Sequence, residues 1–314
     1  MNIVVTPRSF SSTSDKPKNI LESKNYNIDY NNTGKPYSQE EMIKKVQNCD
    51  GIIVGIDPLN KKVLKNAKNL KIISKYGVGT DNIDIEYCKK NDIIVTNTPH
   101  ANNKAVADLA FGLMLNLARR INEADRKTHA GQWGKIIGDA VNNKTLGIIG
   151  LGKIGKEVVK RAKGFDMDIL VFDIVKDQEF KEEYDIEYTE FEELLNKSDF
   201  ISIHTPLNEN TRNLITYTEL DKMKSTAYLI NTSRGGIVDE DDLYKALKEK
   251  IIKGAALDAY VKEPPENSPL KELDNIIMTS HMGAYTVEAI EKMGVEAVKN
   301  LIDVLESKTP DNIL

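Results

Sequence analysis

Residues 145–155 read Thr145-Leu146-Gly147-Ile148-Ile149-Gly150-Leu151-Gly152-Lys153-Ile154-Gly155, and position 173 is an aspartate. The apolar run Leu146–Ile149 predicts a buried strand, and Ile154–Lys163 the helix after it. Between them the glycines fall as G-x-G-x-x-G, and Asp173 lies 18 residues beyond Gly155, at the end of the next expected strand, Ile169–Phe172. The glycine pattern alone is weak evidence. Strand, glycines, helix and acid in this order specify a dinucleotide-binding unit. Gly150 permits the tight turn, Gly152 lets backbone approach a pyrophosphate, and Gly155 lets helix and strand pack closely. Lys153 and Ile154 open the helix, whose N-terminus faces the anion. Asp173 is expected to accept hydrogen bonds from the adenosine ribose and to repel a 2′-phosphate, so the expected cofactor is NAD rather than NADP.

Outward from this unit the strand–helix rhythm continues. Further strands are expected at Phe200–Ile203, Ala227–Ile230, Ala255–Leu257 and Ile276–Met278. Helices are expected at Phe191–Asn196 behind a capping box (Thr189 with Glu192), Thr218–Met223 and Asp241–Lys250, and a last one at Val287–Leu305 with Thr286 as N-cap. A second series precedes the motif: strands near Ile3–Val5, Gly51–Val54, Leu70–Ser74 and Ile93–Val95, with helices at Gln39–Val46 (capping box Ser38 with Glu41), Pro58–Ala67 and Asp84–Lys90. Such alternation implies parallel sheets with crossover helices. The nucleotide motif therefore sits mid-chain behind a complete first domain, with substrate expected in a cleft between the two. Residues 103–121 carry apolar side chains at helical spacing and predict a core helix that connects the series. Residues 122–143 read as irregular and polar, and Trp133 between glycines suggests an interface.

Composition narrows the function. The 314 residues are 40% hydrophobic and 29% charged, with a formal net charge of −5. That is the balance of a globular protein, and without a basic cluster it is unsuited to gripping nucleic acid. No apolar run reaches the length of a membrane span, and the start lacks the pattern of a secretory signal, so a cytoplasmic location is expected. Cys49 and Cys88 lie in no metal-ligand or disulfide spacing, and no metal site is expected.

The candidate chemistry comes from three successive strand ends, where ligands bind in open α/β sheets. Arg234 follows the strand at 227–230, Asp258 and Glu263 follow that at 255–257, and His281 and Gly283 follow that at 276–278. An arginine fork suits a carboxylate or keto acid, a histidine transfers protons near neutrality, and a neighbouring glutamate orients the imidazole. This is a usable set for hydride transfer to a 2-keto acid.

At these residues the sequence resembles the D-isomer-specific 2-hydroxyacid dehydrogenases. The marks are Tyr76-Gly77-Val78-Gly79-Thr80-Asp81, Ala105-Val106-Ala107-Asp108, the glycine motif, His204-Thr205-Pro206-Leu207, Asn231 through Gly236, Leu257-Asp258 through Glu263-Pro264-Pro265, and Ser280-His281-Met282-Gly283. The resemblance implies an α/β fold of two Rossmann-like, doubly wound parallel-sheet domains, the first flavodoxin-like. Residues 1–98 and 286–314 would form the substrate-binding domain and 99–285 the NAD-binding domain. It implies His281 as acid/base, Glu263 as its paired carboxylate and Arg234 as the substrate anchor. Asp258 would bond the nicotinamide amide, with Thr205, Pro206, Thr232 and Gly283 lining the cofactor. Lys75, Tyr76, Val78 and Gly79 would form the substrate loop. Members usually dimerise through the NAD-binding domain, which gives 103–121 and Trp133 an interface role. The implied reaction interconverts a D-2-hydroxy acid and its 2-keto acid, whether 3-phosphoglycerate, hydroxypyruvate, glyoxylate or similar. The alternative is an NADH-sensing, non-enzymatic corepressor-like protein. A formate- or phosphonate-type oxidoreductase is disfavoured, since no additional charged groups for it are found in the first domain. Two departures are Ser280, where proline is usual, and Gly55-Ile56-Asp57-Pro58, which lacks a phosphate-contacting arginine; Asp57 is expected to oppose a phosphate.

Overall fold

The computed structural model describes all residues, 1–314. The chain divides into two units, Met1–Asn103 with Ala284–Leu314, and Lys104–Gly283.

The first unit is built on five parallel strands, β1 (Asn2–Val5), β2 (Asn27–Tyr30), β3 (Gly51–Val54), β4 (Ile72–Lys75) and β5 (Ile94–Thr96), in the order β2-β1-β3-β4-β5. That is the flavodoxin-like order. Every residue of β3 and β4 is buried, as expected of a parallel sheet covered on both faces. Helices α1 (Lys16–Glu22), α2 (Gln39–Val46), α3 (Lys61–Leu64) and α4 (Ile85–Lys90) connect the strands. The capping box of α2 is formed: Glu41 N–H donates to Ser38 Oγ at 3.2 Å, and Ser38 N–H donates to Glu41 Oε2 at 2.7 Å.

The second unit begins with α5 (Asn103–Arg119) and α6 (Ile121–His129). Its sheet comprises β6 (Thr145–Ile149), β7 (Asp168–Phe172), β8 (Glu187–Tyr188), β9 (Phe200–Ile203), β10 (Tyr228–Asn231), β11 (Gly254–Leu257) and β12 (Ile276–Met278). The seven strands are parallel and run β12-β11-β10-β9-β6-β7-β8. Counted from β6, this is the Rossmann order 3-2-1-4-5-6 with one strand added. The order reverses beside β6, so the glycine loop after it lies at the topological switch point, where α/β sheets bind ligands. Helices α7 (Lys153–Lys163), α8 (Gln178–Tyr184), α9 (Phe191–Lys197), α10 (Tyr217–Lys222) and α11 (Glu240–Lys248) complete the unit. The final helix, α12 (Val287–Leu305), returns to the first unit and packs on β3 and β4; Thr286 Oγ1 caps it by accepting from Ala289 N at 3.2 Å.

Four expectations need correction. Helix α1 and strand β2 were invisible to periodicity, because α1 is short and β2 is a half-exposed edge strand of four residues. Residues 121–129 are helical rather than irregular. Arg120 takes a left-handed conformation (φ 53°) that ends α5, and α6 starts afresh with no buried side chain. Ion pairs from Glu123 to Arg120 and Lys127 run along it, a signal that apolar spacing cannot register. The short pair α8 and β8 was also missed. Finally, Thr189 does not cap with Glu192: the N-cap of α9 falls on Glu190, and the Thr189 hydroxyl donates to Glu193 instead.

Candidate active site

The glycine loop has the shape its sequence demands. Gly150 has φ +94°, and a Cβ there would lie 2.9 Å from the backbone of His204 and Thr205. A Cβ on Gly155 would meet Gly150 O at 2.3 Å, so only glycine lets α7 press this closely onto β6. A Cβ on Gly152, the N-cap of α7, would meet nothing within 4 Å. One glycine turns, one packs, and the one between leaves open space over a helix N-terminus, which is the cradle a pyrophosphate needs.

Asp173 follows β7. Its Oδ2 accepts from Leu151 N at 2.5 Å and its Oδ1 from Val175 N at 2.8 Å, so the acid is tied to the glycine loop and keeps further lone pairs for a ribose. Ile174 is 90% exposed beside it. Lys176 Nζ lies 5.9 Å from the centroid of the Tyr188 ring. Thr205 and Pro206 follow β9, and the Thr205 backbone lies against Gly150. Thr232 follows β10, and its buried Oγ1 has no partner. An orphaned hydroxyl at this strand end fits a polar ligand.

Beyond β10, β11 and β12 the sheet delivers the other candidates. Arg234 sits in the turn after β10, with Nη1 donating to Ser233 O at 2.8 Å. The following Gly235 is pressed onto the next loop: a Cβ there would overlap Tyr260 C at 1.9 Å and Val261 N at 2.3 Å. Only glycine allows the Arg234 and Glu263 loops to lie this close. Glu263 Oε1 accepts from Tyr260 N at 3.1 Å, and His281 Nδ1 lies 2.8 Å from Oε1 and 2.9 Å from Oε2. Burial pushes the Glu263 carboxyl up, but the hydrogen bond and charge of His281, then Tyr260 N–H and the charge of Arg234, outweigh it and hold the group below the usual carboxylate range. His281, Glu263 and Arg234 are thus one electrostatic cluster built from three turns. Asp258 is 1% exposed and accepts from Thr279, Met282 and Gly283. Glu240, at the start of α11, was not anticipated: its Oε1 accepts from Val261 N at 2.6 Å and thereby ties the Glu263 loop to that helix.

In the first unit, two expected substrate side chains serve the unit itself. Lys75 is buried at the end of β4 and donates to Gly55 O and, at 2.9 Å, to Asn82 Oδ1. Tyr76 is buried against α12, and its hydroxyl donates to Ile290 O at 3.1 Å. Asp57, expected to oppose a phosphate, is turned inward. At 2% exposure its carboxylate accepts from the Thr6 hydroxyl and, at 2.7 Å, from Tyr37 N. A buried acid must find donors, and a sequence does not show which way it turns. Val78 and Gly79 follow Gly77, whose φ of +124° makes the turn, and Val78 is exposed.

With this geometry in view, the comparisons with known proteins are decisive about kinship. Residues 111–283 match the family described as D-isomer specific 2-hydroxyacid dehydrogenase, NAD binding domain. The chain belongs to that family, and NAD is the cofactor its second unit takes. It is 45% identical over 283 residues to a glyoxylate reductase of Thermococcus litoralis, covering 87% of this chain and 86% of that one. A D-3-phosphoglycerate dehydrogenase of Methanocaldococcus jannaschii is 40% identical over 281 residues, 88% of this chain but 54% of that longer protein. Among solved structures, D-lactate dehydrogenase from Aquifex aeolicus, complexed with NAD and lactic acid, superposes with a TM-score of 0.87 at 29% identity, covering 100% of this chain and 99% of that one. These likenesses make the chain an oxidoreductase of the 2-hydroxyacid dehydrogenase class. No helix is long and apolar enough to cross a membrane.

Proposed function

We propose that the protein reduces a small 2-keto acid of the glyoxylate or hydroxypyruvate type to its D-2-hydroxy acid with NADH, and catalyses the reverse reaction with NAD. The observation that carries this reading is the paired contact of His281 Nδ1 with both oxygens of Glu263.

When bound, the cofactor supplies or accepts the hydride; the chain does the rest. The cradle of Gly150, Gly152, Lys153, Ile154 and Gly155 would hold the pyrophosphate, Asp173 the ribose, and Thr205, Pro206, Thr232, Asp258 and Gly283 would line the remainder. Glu263 keeps the proton on His281 Nδ1, which leaves Nε2 to give its proton to the carbonyl oxygen as hydride arrives at the carbonyl carbon. In oxidation, Nε2 takes the hydroxyl proton back. Arg234 grips the carboxylate and keto oxygen through its planar fork and stabilises the charge that builds on oxygen. On this reading residues 1–98 with 286–314 form the substrate-binding domain and 99–285 the NAD-binding domain. Phosphorylated acids rank below glyoxylate, because no arginine lies in 55–58 and Lys75 is committed to Gly55 and Asn82. The chain is read as a homodimer through the NAD-binding domain, supported by Trp133 at 94% and Ile137 at 87% exposure beside α6.

The test is NADH oxidation with glyoxylate, hydroxypyruvate, pyruvate and branched 2-keto acids, alongside NAD reduction with 3-phosphoglycerate. Turnover of glyoxylate or hydroxypyruvate is expected. Tight NADH binding with no turnover of any acid would overturn the reading in favour of a sensor.

A further inference from the structure

The turn that carries His281 is held from beneath. His281 is in the left-handed region (φ 53°), uncommon for a residue other than glycine though more accessible to histidine than to most. Ser280 occupies the position before it, so no proline ring restrains the entry to the turn. The restraint comes instead from Asp258. Its Oδ1 accepts from the Thr279 hydroxyl at 2.6 Å and from Met282 N at 2.8 Å, and its Oδ2 accepts from Gly283 N at 2.8 Å. One carboxylate thus grips the chain on both sides of His281. Thr279 is fixed in turn: its N–H donates to Leu257 O at 2.9 Å, and Tyr260 Oη lies 2.8 Å from Thr279 O and 2.9 Å from Leu257 O. Tyr260 N–H meanwhile donates to Glu263 Oε1. Asp258, Thr279 and Tyr260 therefore brace both halves of the His281–Glu263 pair, Asp258 and Thr279 at the His281 turn and Tyr260 at both, through its hydroxyl to Thr279 and its N–H to Glu263.

We propose that Thr279, through the buried Asp258, and Tyr260, through the backbone of Thr279, are positioning residues that set the His281 turn and so the aim of Nε2. This goes beyond the proposed function and rests on its choice of His281 as the acid/base. None of the three need touch substrate to act. Asp258 has four acceptor positions and uses three on the turn, so a contact from its Oδ2 to a carboxamide is compatible with the clamp.

The experiment compares Thr279→Val, which deletes the hydroxyl and keeps the branched shape, with Thr279→Ser, which keeps the hydroxyl. Three readouts are taken: kcat with glyoxylate, the Kd of NADH by fluorescence, and the His281 ring resonance, assigned by its loss in His281→Ala. Thr279→Val is expected to lose about 10- to 100-fold in kcat, the scale of a small misplacement of a catalytic group. NADH affinity should stay within about twofold and the His281 resonance should move; Thr279→Ser should restore both kcat and the resonance. Should Thr279→Val not fold, Tyr260→Phe replaces it, deleting a hydroxyl without changing volume. The proposal is overturned by a Thr279→Val protein with unchanged kcat and resonance, by a Thr279→Ser protein as impaired as the valine variant, or by kcat and NADH affinity falling together. Absence of turnover in the unaltered protein would sink the functional reading alone, since the His281 resonance still reports on the clamp.

Discussion

Nδ1 of His281 stands 2.8 Å and 2.9 Å from the two oxygens of Glu263, so the carboxylate faces the ring nitrogen with both lone-pair edges and leaves Nε2 as the nitrogen available for proton transfer. Replacing His281 by alanine should reduce kcat about 10²- to 10⁴-fold, the usual worth of general acid–base catalysis, while NADH still binds. Steady-state rates and a fluorescence titration read the two separately, and an equally active variant would refute the assignment.

The same pair predicts a pH effect on Glu263. Its pKa is depressed because His281, Tyr260 N–H and Arg234 outweigh burial. A depressed carboxyl contributes its interaction above the ordinary carboxylate range and loses it as pH falls through the folded-state pKa. In His281→Ala the opposing effects shrink and burial remains, so the Glu263 carboxyl should titrate at higher pH than in the parent. A ¹³C carboxyl titration checks the sign.

His204 gives a second pH signature. Burial drops its pKa to about 3 from 6.5, and its buried Nδ1 has no partner. Below 6.5 the unfolded chain takes up the proton that the folded chain refuses, so stability falls as pH goes from about 6.5 toward about 3. His204→Gln, which cannot ionise, should flatten that decline. Urea midpoints at pH 7 and pH 5 measure it; an unchanged slope would count against the account.

Gly155→Ala should be among the most damaging single changes in the second unit. Its Cβ would sit 2.3 Å from Gly150 O, so α7 must shift away from β6 and the cradle must open. Overpacking of this kind costs about 1–3 kcal/mol. Lower thermal stability and weaker NADH binding are expected together.

Asp57→Ala should destabilise without changing NADH affinity. It strips the Thr6 hydroxyl and Tyr37 N–H of their acceptor in a buried place, at a cost of about 1–3 kcal/mol. Denaturant unfolding and a cofactor titration on the same samples separate the two effects.

Trp133→Ala should leave subunit folding within about 0.5 kcal/mol of the parent, since an exposed side chain has little packing to lose. On the proposed homodimer it should weaken self-association, and a light-scattering mass at several concentrations tests that.

What the sequence by itself determined is local and periodic. Alternating apolar runs and helices place both sheets, the glycine spacing places the cradle, and Ser38, Glu41 and Thr286 announce their caps, because each signal is carried by neighbours in the chain. Strand ends also brought Arg234, Glu263 and His281 to one edge of one sheet. Where the tertiary structure alone decided, the deciding partner is remote in sequence or the element has no apolar face. Asp57 is expected from its sequence only as a charge opposing a phosphate, and the fold turns it inward onto Thr6 and Tyr37; that Lys75 donates to Gly55 and Asn82 is likewise visible only in the folded chain. Helix α6 buries nothing and so leaves no period to read. The clamp of Asp258 on Thr279, Met282 and Gly283 joins two strand ends through side-chain and backbone hydrogen bonds, and the geometry of a hydrogen bond is fixed only once the folded backbone has brought donor and acceptor together.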